Sequence, residues 1–105
     1  YALLDLVSNT PTATAGNATS VAGAGATSLS TTINIPGNGI LIGAASAVNQ
    51  TITLSGITQD ATSDVSVLKS AVGSNHQMTA ETGRSVSASH AAPAGSFAIA
   101  FAAWN

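Results

Sequence analysis

Along most of the chain, apolar and small polar residues alternate with a period of two. In the run 28–35, Leu29, Thr31, Ile33 and Ile35 fall on one face and Ser28, Ser30, Thr32 and Asn34 on the other, the pattern of a half-buried strand. Pro36-Gly37-Asn38-Gly39 interrupts it and predicts a turn, because Asn and Gly tolerate positive φ. The next run, 40–48, is apolar on both faces and reads as a central strand, with Asn49-Gln50 as its exit. Residues 51–55 alternate again. Gly56 then interrupts, and Ile57-Thr58 leads into a polar stretch, 59–64, that reads as a loop.

Further strands are expected at 65–72, closed by Gly73-Ser74-Asn75, more weakly at 76–80, and at 84–90. The last, 96–104, places Phe97, Ile99 and Phe101 on one face and three alanines on the other, a small face suited to close approach by a second sheet or chain. Residues 1–7 are a short apolar run that we read as a strand over a short helix. Between them and 28–35, residues 8–27 form a low-complexity stretch of Thr, Ala, Gly, Asn and Ser, read as a long loop, a linker or an arm ordered on a neighbour. About seven or eight short strands with Gly and Asn turns, and no amphipathic helix, predict an all-β antiparallel sandwich in one domain spanning 1–105.

The order of these runs resembles that of jelly-roll-like β-sandwich domains in phage virion proteins and bacterial cell-surface proteins. The resemblance rests on Ala2-Leu3-Leu4-Asp5-Leu6-Val7-Ser8, on the Thr-rich run 28–35 with Pro36, on Gly37-Asn38-Gly39-Ile40-Leu41-Ile42-Gly43-Ala44-Ala45, and on the closing run 92–101. It implies a non-catalytic structural or adhesive module on a particle surface, such as a capsid decoration protein or a head or tail fibre component. No site residue is carried over by it. The middle, 56–72, departs from the pattern, holding small residues where such domains often carry aromatic ones and a longer hairpin.

Composition sharpens this picture. The chain has 105 residues, of which 21 are alanine, 14 serine, 13 threonine and 10 glycine, and only 6% are charged, against about 25% in an ordinary soluble domain. Much of the surface is therefore expected to be covered by copies of the same chain or by a neighbour. Lys69 and Arg84 are the whole basic complement, too few to release counterions from nucleic acid. No apolar run reaches the roughly 18–20 residues of a membrane span. The absence of cysteine excludes disulfides, thiolate catalysis and Cys-rich zinc sites. A start at Tyr1 rather than Met is expected from processing or from a longer polypeptide.

Candidate chemistry is thin. Ser74, His76 and Asp64 make a triad on paper, but with this many serines such a set carries almost no information, and no G-x-S-x-G elbow accompanies it. His76 and His90 are expected at exposed strand ends. Asp60, Asp64, Glu81, His76 and His90 offer hard carboxylate and imidazole ligands without EF-hand spacing, and Asp60 to Asp64 reads as a solvated loop. Asn17-Ala18-Thr19 and Asn49-Gln50-Thr51 fit the glycosylation pattern at a chance level for so much Ser and Thr.

The expectation is therefore a non-enzymatic structural protein of a virion surface or the extracellular space, with no cofactor, no nucleic acid and no membrane. Its partners are copies of itself and a capsid or tail shell protein, and the candidate contact residues are Tyr1, Leu3 and Trp104. One alternative is an adhesive, glycan-binding module using Trp104, Tyr1, Asn75 or His76 as a platform. Another is a filament subunit whose segment 1–7 completes a neighbour's sheet.

Overall fold

The computed structural model describes residues 17–92 and 95–105. They form eight strands: β1 Asn17–Gly23, β2 Ser28–Ile35, β3 Gly39–Val48, β4 Thr53–Ser55, β5 Gln59–Val65, β6 Leu68–Met78, β7 Glu81–Ser89 and β8 Phe97–Trp104. No helix occurs among the described residues. The strands make a five-stranded sheet in the order β1-β8-β3-β6-β5 and a three-stranded sheet in the order β2-β7-β4, every pairing antiparallel.

The pairings nest. β1 lies on β8, β2 on β7 and β3 on β6, so the two halves of the chain pair like one long hairpin wrapped into two layers, the arrangement of a jelly roll. Continuing the nesting would place β5 beside β4. Instead β5 turns through Ser66 and Val67 and pairs with β6 from Val65 opposite Leu68. Ser66 takes φ 55°, the positive value that a two-residue hairpin turn requires at its first position. The carbonyl of Val67 accepts the Asn49 N–H at 2.7 Å, which fastens the turn to the end of β3. The five-stranded sheet thereby gains a strand.

The two sheets close on Ile33 and Ile35 of β2, Leu41, Ala45 and Ala47 of β3, Ile52, Leu54 and Ile57 around β4, Val86 and Ala88 of β7, and Phe97, Ile99 and Phe101 of β8. Each large side chain buried here contributes roughly 1.5–3 kcal/mol. The alanines let the layers approach closely but add little, so the two phenylalanines supply much of the bulk. Gly43 stands opposite Phe101 in the β3–β8 ladder, and the Phe101 ring occupies the space that a β-carbon at Gly43 would fill. An aromatic ring laid over a strand glycine in this way restores the packing the glycine lacks.

Several elements differ from the sequence reading for local reasons. The polar stretch 59–64 is strand β5, because a ladder to β6 outweighs its poor strand propensity. β6 does not close at Gly73 but runs on to Met78, absorbing the weak strand expected at 76–80. Gly73 is there because the Thr58 carbonyl lies where its β-carbon would be, so the glycine marks close backbone approach and not a break. Ser74 N–H donates to that carbonyl at 3.0 Å, and Asn75 Oδ1 accepts the Thr58 N–H at 3.0 Å. Within the low-complexity stretch 8–27, Asn17–Gly23 is β1, an edge strand on β8, whereas 24–27 connects it to β2. The strand proposed for residues 1–7, with Tyr1 and Leu3, lies outside the described residues. The Pro36–Gly39 turn forms as expected, with Asn38 at φ 57° and the Gly39 N–H donating to the Pro36 carbonyl at 3.0 Å.

Candidate functional site

The polar side chains that resembled chemistry in the sequence are engaged elsewhere. Ser74 Oγ donates to Asp60 Oδ2 at 2.6 Å, and Asp64 pairs with Lys69 at 3.3 Å, so the paper triad of Ser74, His76 and Asp64 is not assembled by hydrogen bonds. His76 is exposed at the far part of β6, as expected. His90 is not: it is only 8% exposed, its ring stands edge-on to Phe97 with centroids 4.5 Å apart, and neither ring nitrogen has a hydrogen-bond partner. It follows β7 on the inward side shared by Val86 and Ala88, and its backbone N–H donates to the Thr27 carbonyl at 3.0 Å, one step beyond the Ser28–Ser89 pair. Among the described residues no group of three or more His, Asp or Glu side chains converges to hold a metal. Asn75 is held by Thr58, whose hydroxyl accepts from Asn75 Nδ2 at 3.0 Å in addition to the backbone bond.

What the fold does assemble is two extended faces. Strand alternation in the five-stranded sheet sends one set of side chains inward to the core and the other outward. Reading the registers across β8, β3, β6 and β5, the outward rows are Ala98, Ser46, Ser70 and Ser63, then Ala100, Ala44, Val72 and Ala61, then Ala102, Ile42 and Ser74. Beyond them lie Val48, Leu68 and Val65 at one end and Trp104 opposite Ile40 at the other. Ile42, Val65 and Leu68 are 41%, 67% and 52% exposed, and Trp104 is half-buried.

The small side chains of the central rows leave three shallow depressions, of about 400, 320 and 470 Å³, which adjoin through Ala44, Ala100 and Ser70. Larger aliphatic residues stand at both ends. Asp60, bonded to Ser74 at one corner, is the one charged side chain that reaches these rows among the described residues.

The three-stranded sheet is the opposite. Its outward rows are Ser28, Ser89 and Thr53, then Ser30, Ser87 and Ser55, then Thr32 and Ser85. All eight are hydroxyl side chains, and among the described residues none makes a side-chain hydrogen bond, so they face water. The remaining charges sit between the faces: Arg84 Nη1 donates to Glu81 Oε2 at 2.6 Å and Arg84 Nε to the Gly56 carbonyl at 2.7 Å.

Sequence reasoning found the alanine side of β8 and the placement of Trp104 away from Phe97 and Phe101. It missed that β3, β6 and β5 continue the same face. The hydroxyl face was visible strand by strand, in the outward positions of 28–34 and 85–89, but joining them needed the β2–β7 register. No family model matches the chain, and neither a curated protein nor a solved structure is significantly similar to it.

Proposed function

We propose that this protein is a non-enzymatic structural component of a particle surface, a capsid decoration or fibre protein, held in place by contacts with copies of itself and with a shell protein. The observation that carries the reading is the opposition of its two faces. A face of mostly Ala, Val, Ile and Leu, with a few serines and almost no charge, has a cost in water that a neighbour relieves, while a face of hydroxyls is compatible with water and needs no counterion. A protein with one of each is suited to an assembly in which a neighbour covers the apolar side and the hydroxyl side stays in water. With so few charges, long-range steering contributes little, and the contacts that hold such an assembly are apolar and short-ranged.

The adhesive alternative has less support, since Asn75 is clamped to Thr58 and Trp104 is packed beside Ile40. The test is the mass of the purified chain by light scattering, across concentration and at low and high salt. Assembly that persists or strengthens at high salt fits the proposal. Assembly that dissolves as salt rises is electrostatic and overturns it.

A further inference from the structure

We propose that the outward face of the β1-β8-β3-β6-β5 sheet is a homodimer interface, closed by the same face of a second copy about a two-fold axis passing near Ala44. This deepens the structural reading above and rests on it, naming the surface and its first occupant.

Three observations select a second copy over a different partner. The first is charge. In a two-fold contact each side chain near the axis meets its own copy, so a charge there would meet a like charge. The rows around Ala44, Ala100, Ser46 and Val72 contain none, and Asp60 lies at a corner, away from the axis. A surface matched to a charged partner would have no need of this emptiness.

The second is area. Five strands about 4.8 Å apart and eight residues long at about 3.3 Å each cover roughly 600 Å². Two copies then bury roughly 1,200–1,300 Å², just inside the range of stable interfaces. Without β5 the same estimate falls to about 1,000 Å², below that range. The displacement of β5 out of the three-stranded sheet, the one departure from nested pairing, therefore supplies the strand that brings the face to sufficient size.

The third is relief. Small residues in the centre admit close approach, and the aliphatic side chains that stand above them, Ile42 at one end and Val65 and Leu68 at the other, are among the most exposed large apolar groups described. Those side chains fill the depressions or meet each other across the axis, and either arrangement removes them from water. Trp104, at the Ile42 end of the face, is drawn into the interface with them.

The test uses charge substitution at Ala44, an exposed strand position where a longer side chain meets solvent in the single copy. The expected result for the wild-type chain is a dimer or larger species by light scattering, with the emission of its single tryptophan, Trp104, shifting to shorter wavelength as concentration rises. Ala44→Asp and Ala44→Lys each abolish assembly alone, with strand content unchanged by circular dichroism. Mixing the two restores dimers, because opposite charges now meet at the axis. Ser30→Asp, on the hydroxyl face, leaves assembly intact.

A wild type that assembles equally well with Ala44→Asp overturns the interface while leaving the structural reading in place. Assembly that each single variant loses but the mixture fails to restore overturns the two-fold arrangement. A wild type that stays monomeric overturns both the interface and the homomeric part of the reading.

Discussion

Replacing Gly43 with alanine sets two effects of opposite sign against each other. A glycine inside a strand is entropically costly, so alanine on its own would stabilise the fold by about 0.5–1 kcal/mol. The site does not allow this. A β-carbon at Gly43 overlaps the Phe101 ring at Cδ1 and Cε1 and lies 3.3 Å from Ile57 Cδ1, and Phe101 is itself only 2% exposed. Forcing a methyl group into a packed core costs about 1–3 kcal/mol. The net expectation is a loss of about 1–2 kcal/mol, and a melting point lower by roughly 4–8 °C for each kcal/mol in a domain of this size.

Urea unfolding followed by Trp104 fluorescence, at one fixed protein concentration, measures it. A double-mutant cycle assigns the cause: Phe101→Leu alone destabilises by about 1–2 kcal/mol, but in its presence Gly43→Ala becomes nearly neutral, a coupling of about 1 kcal/mol or more. A Gly43→Ala protein as stable as wild type, or one whose cost simply adds to that of Phe101→Leu, refutes the packing account of this pair.

Other sites give sharper signs than sizes. His90→Leu keeps an apolar contact with Phe97 and removes two buried nitrogens that lack partners; thermal unfolding should show stability unchanged or raised by about 1 kcal/mol, and a clear loss would mean the imidazole does something its surroundings do not reveal. Asn75→Ala deletes both side-chain bonds to Thr58, with an expected loss of about 1 kcal/mol and faster amide hydrogen exchange confined to β5 and β6; unchanged exchange there would show that the clamp does not hold β5 in place. Lys69→Ala breaks the ion pair with Asp64, whose side chain is 61% exposed, and denaturation should register less than about 1 kcal/mol at any salt concentration.

Much of the sandwich was legible because alternation and turn chemistry agreed. Leu29, Ile33 and Ile35 face inward, Asn38 makes its turn, and the Phe97, Ile99, Phe101 series lines the core as its spacing requires. Reading failed where a residue's role is set by a distant partner. Gly73 looked like a terminator, yet it is the point where β6 passes the Thr58 carbonyl. Gln59, Asp60, Thr62 and Asp64 looked like a loop because nothing local to them specifies a strand; β6 does, through a register that only the fold sets. His90 looked like an exposed strand end and is buried with its ring against Phe97 of β8. The apolar face was half visible, since Ala98, Ala100 and Ala102 show it on one strand, but its width depends on the displacement of β5, which no periodicity encodes.

The central claim is that the alanine face is covered and the hydroxyl face is displayed. The chain has no cysteine, so one introduced thiol reports on one place. The most direct measurement compares maleimide labelling rates of Ala100→Cys and Ser30→Cys, both at exposed positions of the single chain, in the assembled protein and after dilution to the single chain. The account predicts that assembly slows labelling at position 100 at least tenfold and leaves position 30 unchanged. Equal rates at both positions in the assembled state, or protection at position 30 instead, would contradict it.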